Sequence, residues 1–180
     1  MNKKPKLVTH RLILKSIEDK DKANMVKMLN DPKIKKTYML PDLESEEQES
    51  KFFEKLKNLT NSNEHIVYGI YHNDRLIGFI NDVVHTEDTV EVGYFIDSDE
   101  WNKGYATEAL WEYLKQLFAM GFYYVEAAHF EGNDASAKVM QNCNMHLSGK
   151  QEIIKYRGQD HKAIYYIVNK HQFLLVYKDN

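Results

Sequence analysis

The sequence predicts a mixed α/β fold, in which an antiparallel meander precedes a parallel pair of strands and helices flank the sheet. Short strand-like runs at 65–71, 76–84 and 90–96 follow one another through brief polar turns, as in a meander. An amphipathic helical run at 110–120 then separates the last of these strands from a further strand at 122–130. A helix between two neighbouring strands indicates a crossover connection, and therefore a parallel pair.

The first part of the chain is expected to supply one strand and two helices. Residues 6–16 alternate enough in polarity to predict an opening strand. Apolar side chains on one stripe predict helices over 19–30 and 44–59, and Pro32 disfavours continuation of the first helix. The acidic start of the second helix suits the partial positive charge at a helix N-terminus.

The last part is expected to alternate helix and strand and to close with a hairpin. Gly121 provides a left-handed end for the 110–120 helix. The 122–130 strand is nearly unbroken in apolar character, which predicts burial on both faces. Asn133 or Asp134 caps the last predicted helix. The strands of the final hairpin are predicted over 153–157 and 162–169.

Length, charge and cysteine content narrow the possible classes of protein. The 180 residues suit a single domain over residues 1–180, and 43% hydrophobic residues suffice for a core. A formal net charge of -3 argues against nucleic acid as a partner, which usually needs a basic face. A lone cysteine fits a reducing compartment, and no apolar run approaches the roughly 18 residues that span a bilayer. We therefore expect a cytoplasmic protein without membrane or nucleic-acid partners.

The segment from Trp101 to Ala109 has the composition of an anion-binding loop. It lies between a predicted strand and a predicted helix, where unpaired backbone N–H groups and the helix dipole favour negative charge. Gly104 allows the backbone to approach a bound group closely, and the small side chain of Ala106 keeps the next turn open. A pyrophosphate is the natural ligand of such a loop.

The same segment resembles the acyl-CoA pyrophosphate loop of the GNAT acetyltransferase superfamily. Gly104 and Ala106 match the last two fixed positions of the family motif Arg/Gln-x-x-Gly-x-Gly/Ala. Trp101 stands at the first position, as it often does in the Rim-type branch, which includes bacterial ribosomal-protein N-terminal acetyltransferases. Three further segments resemble that branch in the same order: Thr9 to Lys15, Asn133 to Met140 and Tyr156 to Tyr166.

The resemblance implies a GNAT-like fold, with an antiparallel N-terminal meander, a splayed parallel strand pair and flanking helices. It implies an acetyl-CoA-dependent N-acetyltransferase that moves the acetyl group directly to a primary amine. The amine stays open between a protein N-terminus and a small molecule, because fold and motif specify the cofactor better than the acceptor. A non-catalytic acyl-CoA-binding module or regulator on the same fold is the alternative.

The resemblance also implies a set of cofactor contacts. The loop would hold the pyrophosphate mostly through its backbone, over Asn102, Lys103, Gly104, Tyr105, Ala106 and Thr107. Backbone at Phe95 and Ile96 would bind the pantetheine arm, and a backbone N–H near Tyr94 would meet the thioester oxygen. Asn133 either contacts the arm or simply caps its helix. Lys103 either adds charge to the site or is an ordinary solvated residue.

Two residues are the candidates for proton transfer. Glu91 lies two positions before Gly93, so both face one side of the strand, and the Glu91 carboxylate could take the amine proton. A surface glutamate is the alternative. Ser136 matches the serine of the family motif and either protonates the leaving sulfur or only hydrogen-bonds the cofactor. Met140 stands where many family members carry the tyrosine that acts as the acid.

Other reactive side chains are given structural roles. His129 is expected to be structural rather than a base, and Cys143 is expected in the core rather than as a nucleophile. Asn144 suits a left-handed helix end. The histidines show no metal-ligand spacing, so no metal is expected.

The roles of one acidic group of residues and of one aromatic group of residues stay open. Acidic residues around one hairpin could favour a cationic amine or form a solvated face: Asp82, Glu87, Asp88 and Glu91. Late aromatic residues could serve a homodimer interface or the core: Tyr165, Tyr166, Phe173 and Tyr177.

Overall fold

A computed structural model describes residues 4–178 of the chain. The chain divides into two compact units. The N-terminal unit contains the chain up to Asn81 together with Tyr94–Glu112. The C-terminal unit contains Asp82–Gly93 together with the chain from Tyr113 onwards. The prediction of a single domain stays a prediction.

The N-terminal unit opens with two short strands in place of the single predicted strand. β1 (Leu7–Val8) and β2 (Leu12–Lys15) pair antiparallel. Thr9 closes the turn between them, since its N–H donates to the Leu12 carbonyl at 2.9 Å and its Oγ1 accepts from the Leu12 N–H at 2.8 Å. The prediction of one strand over 6–16 is therefore wrong, because a side chain–backbone turn interrupts it.

Three helices follow in this unit. A 3-10 turn at Asp19–Asp21 leads into α1 (Lys22–Asn30). Next come α2 (Pro32–Lys35) and α3 (Glu46–Asn61). The two predicted helices are confirmed, but α2 is additional. Pro32 both ends α1 and begins α2, because its ring suits the first helical position, where no N–H is needed.

The predicted meander is confirmed by β3 (Tyr68–His72), β4 (Arg75–His85) and β5 (Thr89–Ile96). β3 pairs antiparallel with both β2 and β4. Asn73 and Asp74 have positive φ angles of 48° and 60°, which build the two-residue turn between β3 and β4. Side chains from these helices and strands form the core of the unit, among them Met25, Met28, Leu29, Phe53, Leu56, Tyr71, Leu76 and Phe79.

The C-terminal unit holds the parallel pair. β6 (Tyr124–Phe130) pairs in parallel with β5, from Thr89 opposite Tyr124 to Val92 opposite Ala127. The register ends there, although β5 continues to Ile96 and β6 continues to its last residue. The crossover between the two strands contains α4 (Tyr105–Met120), so the predicted parallel pair is confirmed.

The chain ends with a helix, a hairpin and a further helix. These are α5 (Asp134–Asn142), β7 (His146–Tyr156), β8 (Gln159–Asn169) and α6 (Lys170–Lys178). The hairpin is confirmed with longer strands, whereas α6 was not expected from the sequence. The strands are hydrogen-bonded in the order β1-β2-β3-β4-β5-β6-β8-β7. Among the helices of the described chain, none has the length and apolar character needed to cross a bilayer.

Side-chain burial in the C-terminal unit contradicts the prediction for β6 and places late aromatic residues in the core. β6 is not buried on both faces, because Tyr124, Glu126 and Ala128 are partly exposed and alternate with buried residues. The run looked apolar because its outward positions include tyrosine and alanine, which tolerate partial exposure. Late aromatic residues belong to the core, with Tyr165, Tyr166 and Phe173 at 3%, 5% and 1% exposure. The side chain of Tyr177 lies outside the described residues.

Candidate functional site

The loop before α4 has the backbone shape that an anion-binding loop requires. Asn102 and Gly104 have positive φ angles of 62° and 79°. Glycine adopts this conformation without strain. The Gly104 carbonyl accepts from the Glu108 N–H at 3.1 Å, which begins the helix, and the N–H groups of the first turn have no carbonyl acceptor within the helix. Residues 101–104 are exposed, whereas Tyr105 is buried.

The upstream end of this loop is anchored by a buried carboxylate. Asp97 directly follows β5 and is 1% exposed. It accepts from Lys27 Nζ at 3.1 Å and from Arg75 Nη2 at 2.9 Å. Trp101 Nε1 donates to the Ile96 carbonyl at 2.8 Å, so the indole folds back onto the end of β5. These contacts fix the path of the chain from β5 into the loop.

The downstream end is braced by Arg11, which lies in the β1–β2 turn. Arg11 Nε donates to Glu108 Oε2 at 2.7 Å, and Arg11 Nη1 donates to the Lys103 carbonyl at 2.9 Å. Its guanidinium carbon lies 4.7 Å from the centre of the Tyr105 ring. Thr9 Oγ1 adds a hydrogen bond of 2.6 Å to Glu108 Oε1. The side chain of Arg11, a residue far away in the sequence, therefore holds the backbone of the loop in place.

Hydrogen bonds keep the carboxylate of this brace charged. Burial alone would raise the pKa of Glu108, but hydrogen bonds from Thr9 and Arg11 hold that pKa below its usual value. Lys103 is also paired, because its Nζ donates to Glu100 Oε2 at 2.7 Å and this hydrogen bond raises the lysine pKa. A contact of Lys103 with phosphate stays a prediction.

The end of β5, which carries Tyr94, Phe95 and Ile96, lies directly against β4 at Gly78. A Cβ at Gly78 would lie 2.5 Å from the Phe95 carbonyl oxygen and 2.7 Å from Ile96 Cδ1. No other residue leaves room for this approach, so the glycine determines where the backbone of the strand end lies. The side chains of Phe95 and Ile96 are buried, at 6% and 5% exposure, and only backbone groups are left for the predicted cofactor contacts.

The C-terminal unit brings three glutamates together on one face of its sheet. Glu91 of β5 lies opposite Glu126 of β6 in the parallel register. Ala128 of β6 lies opposite Tyr165 of β8, so Tyr165 projects to the same face as Glu126. Glu152 of β7 joins this face, because its Oε2 accepts from Tyr165 Oη at 3.0 Å.

One ammonium group lies among these carboxylates. Lys150 Nζ is 3.3 Å from Glu152 Oε1, 3.7 Å from Glu126 Oε2 and 3.8 Å from the centre of the Tyr165 ring. We refer to Glu91, Glu126, Lys150, Glu152 and Tyr165 as the Glu91 cluster. Three carboxylates and one ammonium leave the cluster with an excess of negative charge when all are ionised.

The surroundings shift the pKa values of Glu91 and Glu152 in opposite directions. Burial raises the pKa of Glu91, the Lys150 ammonium lowers it, and the charges of Glu126 and Glu152 raise it, with a net value above the usual range. The hydrogen bond from Tyr165, together with Lys150, lowers the pKa of Glu152. Of these two carboxylates, Glu91 therefore holds a proton more tightly and is the stronger base.

The two predicted residues on α5 lie at its first turn. Asn133 Oδ1 accepts from the Ser136 N–H at 3.3 Å, so Asn133 caps the helix. Its side chain Nδ2 is not used by this cap. Ser136 is partly exposed at the third helical position. Contacts of either residue with a cofactor stay predictions.

His129 and Cys143 have the structural roles that the sequence predicts. His129 is 7% exposed, and its Nδ1 lies 2.9 Å from the Phe130 carbonyl oxygen. Cys143 is fully buried, and burial raises the pKa of its thiol to about 12, which removes it as a nucleophile at neutral pH. Asn144 has φ of 59°, which confirms the left-handed helix end. Within residues 4–178, no group of three or more His, Cys, Asp or Glu side chains could hold a metal ion.

The acidic residues around the β4–β5 hairpin have different surroundings. Asp82 is 6% exposed, and its Oδ2 lies 3.3 Å from His85 Nδ1. Asp88 accepts from Thr89 Oγ1 at 2.9 Å at the turn. Glu91 belongs to the cluster with Glu126 and Glu152 instead, so the charge that matters for it comes from other strands.

The sequence does not predict the contacts of Arg11 with the Gly104 loop, nor the positions of Glu126 and Glu152 beside Glu91. Arg11 lies within a segment that matches the family, but nothing local indicates a contact with a loop more than ninety residues later. Glu126 could have been noticed as the one charge within the apolar 122–130 run. Glu152 gives no such signal, because its position depends on the register of β7 against β8, which shifts between Leu147 and Gln151.

Known proteins resemble this chain in sequence and in fold. A family model described as an acetyltransferase (GNAT) domain matches residues 11–146. The uncharacterized N-acetyltransferase YoaA of Bacillus subtilis is 28% identical over 150 residues, which cover 81% of this chain and 85% of that protein.

Solved structures share the fold. An acetyltransferase of the GNAT family from Bacillus anthracis superposes with a TM-score of 0.79 at 22% identity, covering 93% of this chain and 99% of that one. RimL, a ribosomal L7/L12 alpha-N-protein acetyltransferase in complex with coenzyme A, also gives 0.79, at 16% identity and with coverage of 93% and 98%. The predicted GNAT-like fold and the resemblance to Rim-type enzymes are confirmed. The match to the family model over residues 11–146 establishes that this chain belongs to the GNAT acetyltransferase family.

Proposed function

We propose that this protein uses acetyl-CoA to acetylate a primary amine, either a protein N-terminus or a small molecule, by direct transfer. The observation that carries the proposal is the loop at Gly104. It combines a left-handed glycine, a helix N-terminus and side-chain contacts that hold the loop at both of its ends. A family of acetyltransferases supplies the reaction class.

The residues present fit the phosphates and the arm of coenzyme A. The exposed loop from Asn102 to Thr107 would hold the pyrophosphate through backbone N–H groups, and Gly104 leaves the space that a side chain would occupy. Backbone groups from Tyr94 to Ile96 would bind the pantetheine arm and the thioester oxygen. Asn133 Nδ2 would donate to the arm. When bound, acetyl-CoA supplies the acetyl group as an activated thioester.

Glu91 would prepare the acceptor. An amine must be neutral to attack, and a protein α-amine with a pKa near 8 is about one tenth neutral at pH 7. The Glu91 carboxylate would accept the amine proton at an Oε atom, directly or through water. Its raised pKa makes it a better base than an ordinary glutamate, and the other carboxylates of the cluster would attract the protonated amine beforehand.

Ser136 would act at the other end of the transfer. Its Oγ would donate a proton to the leaving sulfur or hydrogen-bond it. The tyrosine of many family members is replaced by Met140, whose side chain is 1% exposed and belongs to the core. This leaves Ser136 as the candidate acid of the α5 segment.

The replacement of that tyrosine also favours a second candidate function. A chain without the acid could bind acyl-CoA and regulate another process without transferring the acyl group. This candidate predicts saturable binding of acetyl-CoA and no acetylation of any amine.

The test is release of free thiol from acetyl-CoA across a panel of amines: a short peptide with a free N-terminus, the same peptide with a blocked N-terminus, a polyamine and a monoamine. We expect thiol release that depends on one of the free amines and falls in Ser136→Ala. Binding without thiol release from any amine would favour the regulator. Absence of both binding and release would contradict both candidates.

A further inference from the structure

One nitrogen of the Arg11 guanidinium, Nη2, takes no part in the contacts with Glu108 and Lys103. We propose that Arg11 is a cofactor-binding residue whose Nη2 donates to an oxygen of the pyrophosphate held at the Gly104 loop. This inference rests on the proposed use of acetyl-CoA.

The guanidinium is held in a fixed orientation by three contacts. Nε is bound to Glu108, Nη1 is bound to the Lys103 carbonyl, and the group lies over the ring of Tyr105. Within the described chain, no hydrogen-bond acceptor is found for Nη2. Because the guanidinium is planar and already ordered, a bond from Nη2 to a ligand costs little further side-chain entropy.

Nη2 lies at the loop itself. A Cβ built at Gly104 would be 3.4 Å from it, so the space above this glycine is bordered by a charged N–H donor. The Arg11 side chain is 38% exposed, which leaves the donor accessible to a ligand. A phosphate oxygen at Gly104 would receive backbone N–H groups from the helix start and this side-chain donor together.

The other cation of the loop is placed differently. Lys103 Nζ is bound to Glu100 and carries its charge on a flexible stem. The Tyr105 ring that supports Arg11 is itself fixed, because Tyr105 is buried and its hydroxyl lies 3.3 Å from His72 Nε2. The structure thus preorganises Arg11 for an anion.

A variant pair separates a direct contact from a brace. Arg11→Gln removes the donor, whereas Glu108→Ala removes the carboxylate that holds Nε and leaves the guanidinium, its stacking on Tyr105 and its bond to Lys103. Calorimetric titration would use coenzyme A and dephospho-coenzyme A, which lacks the 3′-phosphate but keeps the pyrophosphate.

For Arg11→Gln we expect binding of both ligands to weaken by about tenfold, as for a partly exposed charged hydrogen bond, and Glu108→Ala to weaken it less. Equal losses in the two variants would mean that Arg11 only braces the loop, which would overturn the proposal. A loss confined to coenzyme A would assign Arg11 to the 3′-phosphate and would also overturn it. Wild-type protein that binds neither ligand would instead contradict the proposed function.

A measurement on the wild-type protein covers the case in which Arg11→Gln does not fold. Arginine-selective modification by phenylglyoxal, followed by mass spectrometry, reports the accessibility of Arg11. We expect dephospho-coenzyme A to protect Arg11 and S-acetylpantetheine, which has no phosphate, to leave it reactive. Unchanged modification of Arg11 at a saturating concentration of dephospho-coenzyme A would overturn the proposal.

Discussion

The Gly104 loop and the Glu91 cluster both gather charged groups, but they balance them in different ways. Around the loop, each acidic group is matched by basic groups: Glu108 with Arg11, Glu100 with Lys103 and Arg75, and Asp97 with Lys27 and Arg75. In the cluster, three glutamates lie near a single ammonium, that of Lys150. The loop is electrostatically satisfied, whereas the cluster is not.

This difference suits the two tasks that we propose, cofactor binding for the loop and proton transfer for the cluster. A ligand of constant charge is held best by groups that are already ordered, because no reorganisation is needed when it binds. A group that moves a proton must be able to change its own charge near working pH. Burial, together with the charges of Glu126 and Glu152, raises the pKa of Glu91 in that direction. Substitutions in each region test whether the loop binds the cofactor and the cluster moves the proton.

The largest expected effect on the rate of catalysis is the loss of Glu91, the proposed base. In Glu91→Gln we expect kcat for acetyl transfer to fall by about 100-fold, since general-base catalysis typically contributes at least that much, with affinity for acetyl-CoA unchanged. Steady-state kinetics and calorimetry on the same preparation would measure the two quantities. Glu87→Gln, an exposed glutamate of the preceding turn, is the matched control. If Glu91→Gln retained wild-type kcat, the cluster would have no part in proton transfer.

The next effect tests the backbone beside the loop. In Gly78→Ala the new Cβ would meet the Phe95 carbonyl oxygen, so the end of β5 must move. We expect the free energy of unfolding to fall by about 1–3 kcal/mol, as in an overpacked core, and KM for acetyl-CoA to rise. Chemical denaturation and initial-rate kinetics would measure both.

A second glycine provides the control for crowding alone. A Cβ at Gly69 would lie 2.8 Å from Leu76 Cδ1 and 2.9 Å from Ile17 Cγ1, which are side-chain atoms rather than a strand carbonyl. Gly69→Ala should therefore lower stability without raising KM. The same rise of KM in both variants would show that lower stability, and not the position of β5, changes cofactor affinity.

The smallest effect concerns the ammonium of the cluster. Lys150 lowers the pKa of Glu91, so its removal in Lys150→Met should raise that pKa further. Because the base must be deprotonated, the acidic limb of the pH–rate profile should move to higher pH, and the rate at a slightly acidic pH should fall. Lys150→Arg keeps the charge and should leave the limb in place. A shift to lower pH in Lys150→Met would contradict the assignment of Glu91.

The two regions also differ in how far the sequence could predict them. The Gly104 loop is local, and nine consecutive residues from Trp101 to Ala109 contain its glycine, its helix start and its family signature. Its conformation follows from φ preferences and helix termini, which are properties of short segments. The contacts of Arg11 with the loop are not local, and no sequence pattern indicates them.

The Glu91 cluster could be predicted only in part, because it is a product of strand register. Glu91 was identified from its position before Gly93, but its neighbours depend on pairings between β5, β6, β7 and β8. The register of β7 against β8 shifts between Leu147 and Gln151, and no local pattern predicts this shift. The opening strand differs from its prediction for a related reason, since the Thr9 turn depends on a side-chain hydrogen bond.

Calorimetric titration of three proteins tests most directly the claim that acetyl-CoA binds with its pyrophosphate at the Gly104 loop. The three are the wild type, Gly104→Glu and Gly158→Glu, where Gly158 has a similar φ of 74° and open space around it. We predict saturable binding in the wild type and in Gly158→Glu, and binding weaker by about 100-fold or more in Gly104→Glu, because a carboxylate would repel the phosphates. Equal affinity in Gly104→Glu and Gly158→Glu would contradict the claim.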